Sequence, residues 1–183
     1  MPRAVFLDRD GVINTCTVKG STPYPPNGVD ELCVEPGAAE AMAKLKAAGY
    51  LLLVVTNQPD VARGTQTKAG VEAINEALRG QLPIDDVAVC YHDNADNCDC
   101  RKPKPGMLTT LAKKWHVDLH HSFMVGDRSG DIHAGESAGV RTFLVDRPYS
   151  KVDTCRPDFC VRDLAHASDI ILQMVRIEPP RMP

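Results

Sequence analysis

Residues 4–7, Ala-Val-Phe-Leu, run apolar without a break and then give way at once to Asp8-Arg9-Asp10-Gly11. A continuous apolar run of strand-forming residues leaves no face for water, so it belongs in a strand covered on both sides, the setting of a parallel sheet. Open α/β sheets hold their ligands beyond the carboxyl ends of such strands, and this strand ends in two carboxylates one residue apart. Gly11 lets the backbone turn there, so Asp8 and Asp10 can face one centre from different angles. Carboxylates this close resist joint ionisation unless a cation lies between them. Mg²⁺, a hard ion that favours oxygen, is the natural candidate.

The apolar-run pattern recurs along the chain. Pro36 and Gly37 open a helix that runs through Ala41, Met42 and Leu45 to a stop at Gly49, and Leu51–Val55 follows as a second buried strand ending in Thr56-Asn57-Gln58. A β-α-β order with continuous apolar strands implies a parallel sheet and a right-handed crossover. Residues 67–80 read as a helix, Val87–Cys90 as a short strand and Met107–Trp115 as a helix. Ser122–Val125 is a further strand, running into Gly126-Asp127-Arg128-Ser129-Gly130-Asp131, and a helix through Ala138, a strand at Thr142–Val145 and a helix from about Ile170 to Val175 complete the series. The fold class expected is α/β, a Rossmann-like three-layer sandwich with a mostly parallel sheet, in one domain over residues 1–183 with a frayed tail at about 178–183. Residues 15–35, carrying Gly20, Pro23, Pro25, Pro26 and Gly28, read as a loop with no helix of its own. It leaves the sheet beside Asp8 and Asp10, from where Lys19, Tyr24 and Asn27 can reach a substrate.

A chain of 183 residues can bury a sizeable core. Its formal charge of -3, with no lysine-arginine stripe, excludes a nucleic-acid groove. No apolar stretch approaches the ~20 residues that span a bilayer, and charged Arg3 and Asp8 bracket too short a run for a signal peptide. The expectation is a cytoplasmic monomer with no membrane partner. The cysteine count, seven, is odd, and Cys90-x-His92-x5-Cys98-x-Cys100 gathers four soft or borderline ligands into a pattern suited to a closed, structural zinc site. Cys16, Cys33, Cys155 and Cys160 are expected as reduced thiols, and His116, His120, His121, His133 and His166 as structural or solvated.

Three strands thus end in Asp8/Asp10, Thr56 and Asp127, while the loop after the cysteines brings Lys102. Phosphoryl transfer through an aspartyl-phosphate needs this set: nucleophile, acid/base, metal carboxylate and positive charge. The order Asp-x-Asp-Gly, Thr, Lys, Gly-Asp-x-x-x-Asp resembles the four motifs of the haloacid dehalogenase-like phosphohydrolases. The resemblance implies Asp8 as nucleophile and Asp10 as general acid and base. It also implies Mg²⁺ on Asp8, the Asp10 carbonyl and Asp127, with Thr56 and Lys102 holding the phosphoryl group. An aspartate at position 10 can take a proton from water, so turnover ends in hydrolysis. The intervals between motifs leave no room for a folded cap, and an open site follows.

Asp-Arg-Asp-Gly-Val-Ile-Asn, Val-Thr-Asn-Gln and the cysteine loop with Cys-Arg-Lys-Pro are similar to the D,D-heptose 1,7-bisphosphate phosphatases and their relatives, the histidinol-phosphate phosphatases. The similarity runs from Ala4 to about Val175. It implies a small phosphorylated substrate, with D-glycero-D-manno-heptose 1,7-bisphosphate first and histidinol phosphate as the alternative. Asn57, Gln58, Arg63, Arg101 and Arg128 are its expected contacts. Arg63, Arg101, Arg128 and Lys19 offer more positive charge than one phosphate needs. The zinc loop would pin Arg101 and Lys102. Two departures bear on the substrate: Pro59-Asp60-Val61 replaces Ser-Gly-Ile, and Arg128 replaces a lysine. A zinc-stabilised binding module without catalysis is the rival of another class, disfavoured because the catalytic set is complete.

Overall fold

The structure is a computed structural model and describes residues 1–150 and 155–177. In chain order it contains β1 (Arg3–Leu7), a hairpin of β2 (Thr17–Lys19) and β3 (Thr22–Tyr24), α1 (Ala38–Ala47), β4 (Tyr50–Asn57), α2 (Lys68–Gln81) and β5 (Asp86–Cys90). Then come α3 (Gly106–Trp115), β6 (Phe123–Gly126), α4 (Ser129–Ala138), β7 (Arg141–Val145), β8 (Phe159–Val161) and α5 (Leu164–Ile177). Six strands form one sheet in the order β5-β4-β1-β6-β7-β8, and every neighbouring pair is parallel.

The unbroken apolar runs serve two cores at once. Val5 and Leu7 of β1, Leu52 and Val54 of β4, and Phe123 and Val125 of β6 point to one face, where they meet Met42 and Leu45 of α1, Ile74 and Leu78 of α2, and Ala167 and Ile171 of α5. Ala4 and Phe6, Leu53 and Val55, and Met124 point to the other, against Met107, Leu108 and Leu111 of α3 and Ala134 of α4. Period-two alternation with both faces apolar is what makes these segments read as continuous runs. From β1 the chain steps outward to β4 and β5, then returns to β6 on the opposite side of β1. The strand order therefore reverses at β1, and a crevice opens above its carboxyl end.

Three expectations are amended. Residues 15–35 are not featureless: Thr17–Lys19 and Thr22–Tyr24 pair as an antiparallel hairpin, and Val29–Glu31 forms one 3-10 turn. The two-residue connection puts Gly20 at φ 64, the left-handed geometry that tight hairpin turns require. The short strand β8 was not anticipated, because three residues give no usable period; Phe159 stacks on Phe143 of β7 at 4.7 Å. The last helix begins at Leu164, well before Ile170. Between β1 and β5 the described residues hold no cap domain, only the hairpin, the 3-10 turn and the sheet's own helices. The expected frayed tail lies outside the described residues.

Candidate active site

The Asp8 N–H donates to the Val125 carbonyl at 2.9 Å, extending the β1–β6 pairing by one residue. The chain then turns sharply, with the Arg9 carbonyl accepting from the N–H groups of Ile13 (2.9 Å) and Asn14 (3.1 Å). Gly11 sits at φ 85, and a Cβ there would lie 2.1 Å from Oδ2 of Asp127. Only glycine fits between the two motifs. The Arg147 guanidinium closes the turn from outside, donating twice to the Gly11 carbonyl (2.8 and 3.1 Å) while pairing with Glu35 at 2.9 Å.

Lys102 is buried at the centre of the crevice. Its Nζ contacts Oδ1 of Asp8 at 2.9 Å and Oδ1 of Asp131 at 2.5 Å, and donates to the Val55 carbonyl at 2.8 Å. An ammonium has three donors, and all three are engaged. Burial alone would weaken the charged form, but Asp131 and Asp8 outweigh it and hold the Lys102 ammonium above its ordinary range. Asp8 is pushed up to about 6, by burial first and then by the Asp131 charge, with Lys102 opposing. Asp131 also accepts the Arg128 N–H on its other oxygen at 3.0 Å, at the start of α4.

Asp127 follows β6 and is fully buried, with the Tyr149 phenol and the Arg128 guanidinium (4.0 Å) beside it and no close, well-aligned hydrogen bond to either oxygen. Burial first, then the charges of Asp8 and Asp131, push it up to about 8, against Tyr149 and Arg128. Oxygens of Asp8, Asp127 and Asp131 lie within 4.8 Å of one another. A buried carboxylate crowded by two others is what a hard divalent cation satisfies. Asp131 has both oxygens engaged elsewhere and serves as a bridge to Lys102. The Asp10 carboxylate is turned away from this group, so only its backbone carbonyl is left to take part.

Asp10 is gripped instead by neighbours. Arg9 donates Nε to Oδ1 (3.1 Å) and Nη2 to Oδ2 (3.0 Å), Asn14 donates to Oδ1 (2.9 Å) and Gln58 to Oδ2 (2.7 Å). Gln58 also donates to the Thr56 hydroxyl at 2.9 Å, linking the ends of β1 and β4.

A cavity of about 360 Å³ above the strands is lined by Asp8, Asp10, Thr56, Asn57, Gln58, Arg63, Arg101, Lys102, Arg128 and Asp131, with Cys16, Tyr24 and Asp60 at its rim. Every residue expected to touch a substrate is therefore gathered in one place, but not all are free to do so. Asn57 clamps the Lys102 backbone, donating to its carbonyl (3.0 Å) and accepting from its N–H (3.2 Å), and so positions the lysine. Arg63 makes two bonds to Asp93, at 2.7 and 2.8 Å, and one to Asp60 at 3.3 Å, so its charge is compensated. The Arg63 guanidinium in turn holds the Asp93 carboxyl down to about 2. Arg101 has neutral partners, Asn94 Oδ1 at 2.8 Å and the His92 carbonyl at 3.2 Å, and keeps its charge. Of the loop candidates, Tyr24 reaches the cavity, Lys19 lies over the Tyr24 ring at 5.5 Å, and Asn27 is tied to Glu31.

Cys90, His92, Cys98 and Cys100 converge beside this site. Their sulfur–sulfur distances are 3.3, 3.4 and 3.7 Å, and His92 Nδ1 lies 3.4 Å from Cys100 and 3.7 Å from Cys90. Tetrahedral zinc with its usual bond lengths has ligand–ligand edges of about 3.4–3.8 Å. The donor set and spacing fit that ion. Cys90 ends β5 opposite Asn57, and its carbonyl accepts the Gln58 N–H at 2.7 Å, so the cluster is joined directly to the β4 tip. Among the described residues none of the remaining cysteines, Cys16, Cys33, Cys155 and Cys160, is in a disulfide.

Two residues stand out that the sequence reading did not single out. Asp131, in the Gly-Asp-x-x-x-Asp motif, was legible from its spacing. Arg9 was not, since an arginine after a strand reads as solvated, whereas here it is 1% exposed.

A HAD-hydrolase-like family model matches residues 99–167. The D-glycero-beta-D-manno-heptose-1,7-bisphosphate 7-phosphatase of Rhodopseudomonas palustris is 39% identical over 155 residues, covering 76% of this chain and 81% of its own. The enzyme of the same name from Escherichia coli is 36% identical over 156 residues, covering 79% and 78%. Among solved structures, the D,D-heptose 1,7-bisphosphate phosphatase of B. bronchiseptica, complexed with magnesium and phosphate, superposes with a TM-score of 0.83 at 31% identity, covering 94% of this chain and 99% of that one.

Proposed function

Since the chain belongs to the D-glycero-β-D-manno-heptose-1,7-bisphosphate 7-phosphatase family of HAD-like phosphoric monoester hydrolases, we propose that it hydrolyses that heptose bisphosphate through an aspartyl-phosphate on Asp8. The observation that carries the reading is the buried Asp8–Lys102–Asp131 triad beside the buried Asp127 carboxylate. Asp8 attacks phosphorus as its bond to the leaving oxygen breaks, and Asp10 gives that oxygen a proton. Asp10 then takes a proton from the water that attacks the aspartyl-phosphate, releasing phosphate and restoring Asp8. Lys102, already neutralising Asp8, stabilises the phosphoryl oxygens together with the Thr56 hydroxyl. Mg²⁺, held by Asp8, Asp127 and the Asp10 carbonyl, would supply the charge that lets an anionic carboxylate approach an anionic phosphate. Arg101, whose hydrogen-bond partners are neutral, and Arg128, at 4.0 Å from Asp127, would receive the second phosphate.

A structural zinc on Cys90, His92, Cys98 and Cys100 is supported by the donor set and its edges, and its task would be to hold Arg101 and Lys102 in place. The protein is read as a cytoplasmic, single-domain monomer. Cysteines with no disulfide among the described residues favour a reducing compartment, and no helix among the described residues is long and apolar enough to cross a membrane. Histidinol phosphate is less favoured, because the Asp60 charge that would attract its amine is paired with Arg63 at 3.3 Å. Phosphate release across phosphorylated sugars and histidinol phosphate tests the assignment. The heptose bisphosphate should give the highest kcat/KM, and a preference for histidinol phosphate would reverse it.

A further inference from the structure

Arg9 has the largest of the fully buried side chains, 1% exposed. Removing a guanidinium from water costs several kcal/mol, so a position needing only bulk would be filled more stably by an apolar residue. What Arg9 touches accounts for it. Its Nε and Nη2 hold the two oxygens of Asp10 at 3.1 and 3.0 Å, and its Nη1 donates to Oδ1 of Asn75 at 2.9 Å. Asn75 is itself 2% exposed and sits on α2, so the guanidinium is braced against a helix at one end. The Arg9 backbone N–H donates to Oδ1 of Asp8 at 2.8 Å.

Asn14 and Gln58 also reach Asp10, but each through one neutral bond to one oxygen. Arg9 alone grips both oxygens, and a bidentate fork fixes the rotation of the carboxylate plane as well as its place. That rotation decides which lone pair faces the cavity. We propose that Arg9, braced by Asn75, is the positioning residue that aims the Asp10 carboxylate at the leaving oxygen and then at the attacking water. The inference rests on the reading of Asp10 as acid and base.

Two leaving groups separate positioning from mere support. The heptose bisphosphate leaves as an alkoxide that needs a proton, whereas 4-nitrophenyl phosphate leaves as a stable phenolate that does not. Single-turnover product release with enzyme in excess isolates the phosphoryl-transfer step for each. Arg9→Gln should slow the heptose reaction by about 10²-fold, the usual cost of a misaimed group, while 4-nitrophenol release stays near wild type. Arg9→Lys should be as slow as Arg9→Gln on the heptose substrate, because one ammonium cannot hold both oxygens. Equal losses on both substrates, no loss on either, or full recovery in Arg9→Lys would each overturn the proposal. Should the Arg9 variants fail to fold, Asn75→Ala keeps the guanidinium and removes its brace. The same selective loss, smaller in size, is then expected, and an unselective loss would overturn it. Asp10→Asn is measured in parallel. If it retains full heptose turnover, the acid/base reading of Asp10 fails; if it is slow while Arg9→Gln is not, only the present inference fails.

Discussion

Divalent-cation affinity should climb steeply with pH, and the carboxylate crowding sets the slope. Asp127 is pushed up to about 8 by burial and by the charges of Asp8 and Asp131, and Asp8 up to about 6 by burial and Asp131 against Lys102. A cation binds the deprotonated carboxylates. From pH 6 to 8 one proton, that of Asp127, must be displaced, so affinity rises about tenfold, ~1.4 kcal/mol, per pH unit. The gain over that window is about 100-fold. Below pH 6 the Asp8 proton must leave as well, and the slope approaches two; above pH 8 it flattens. The same shifts fix the sign for the ion-free protein. Both acids hold protons more tightly folded than an ordinary aspartate does, at 3.8, so their contribution is fully present below that value. It is lost as pH rises through about 6 for Asp8 and about 8 for Asp127. Mg²⁺ should therefore raise Tm more at pH 8 than at pH 5. Mn²⁺ titration followed by electron paramagnetic resonance gives the affinity curve, and calorimetry at pH 7 in buffers of different ionisation enthalpy counts the protons. An affinity flat from pH 5 to 8, with no proton released, would refute the reasoning.

Asp8→Asn should abolish turnover while circular dichroism and Tm report an intact fold; substantial residual activity would remove Asp8 as nucleophile. Lys102→Ala and Asp127→Ala should fail differently, with excess Mg²⁺ partly rescuing Asp127→Ala only; equal rescue of both would contradict their separate roles. Protein purified without chelators should carry one zinc by elemental analysis, and Cys98→Ser should lower zinc content, Tm and activity at saturating Mg²⁺. Asp93→Asn combined with Asp60→Asn should free Arg63 of both its carboxylate partners and lower KM for a bisphosphate without changing it for a monophosphate; an unchanged bisphosphate KM would place Arg63 outside the substrate's reach.

The sheet was legible because burial on both faces leaves an unmistakable mark: the interiors of β1, β4 and β6, Ala4–Leu7, Leu51–Val55 and Phe123–Val125, are apolar at every position, and the first polar residue after each run marks its carboxyl end. Asp8, Thr56 and Asp127 could be placed in one crevice on that ground alone. The cysteine cluster was legible from donor type and spacing. What could not be read was who holds whom. No periodicity says that Asn57 clamps the Lys102 backbone, or that Asp93, thirty residues from Arg63, neutralises it. Such pairings arise only when separate loops meet over the sheet. The hairpin at Thr17–Tyr24 was hidden for a local reason, since Gly20, Ser21 and Pro23 are turn-formers and neither strand has an apolar face.

The misread cations lead to a more selective cavity than charge counting implied. Four basic side chains suggested a broad positive rim. Arg63 is compensated by Asp93 and Asp60, Lys19 lies over Tyr24 and outside the lining, and of the remaining arginines that line the cavity Arg101 has neutral partners while Arg128 lies against Asp127. Their placement differs in kind. Arg101 hangs from the cysteine loop through the His92 carbonyl and Asn94, whereas Arg128 opens α4 beside Asp127 at 4.0 Å. On the proposed reading, a phosphate at Lys102 would meet Arg128 beside Asp127, and the second would meet Arg101. Among the described residues no cap domain closes over the cavity. The order of the cysteine loop, which carries Arg101, would then bear on substrate binding as well as on rate.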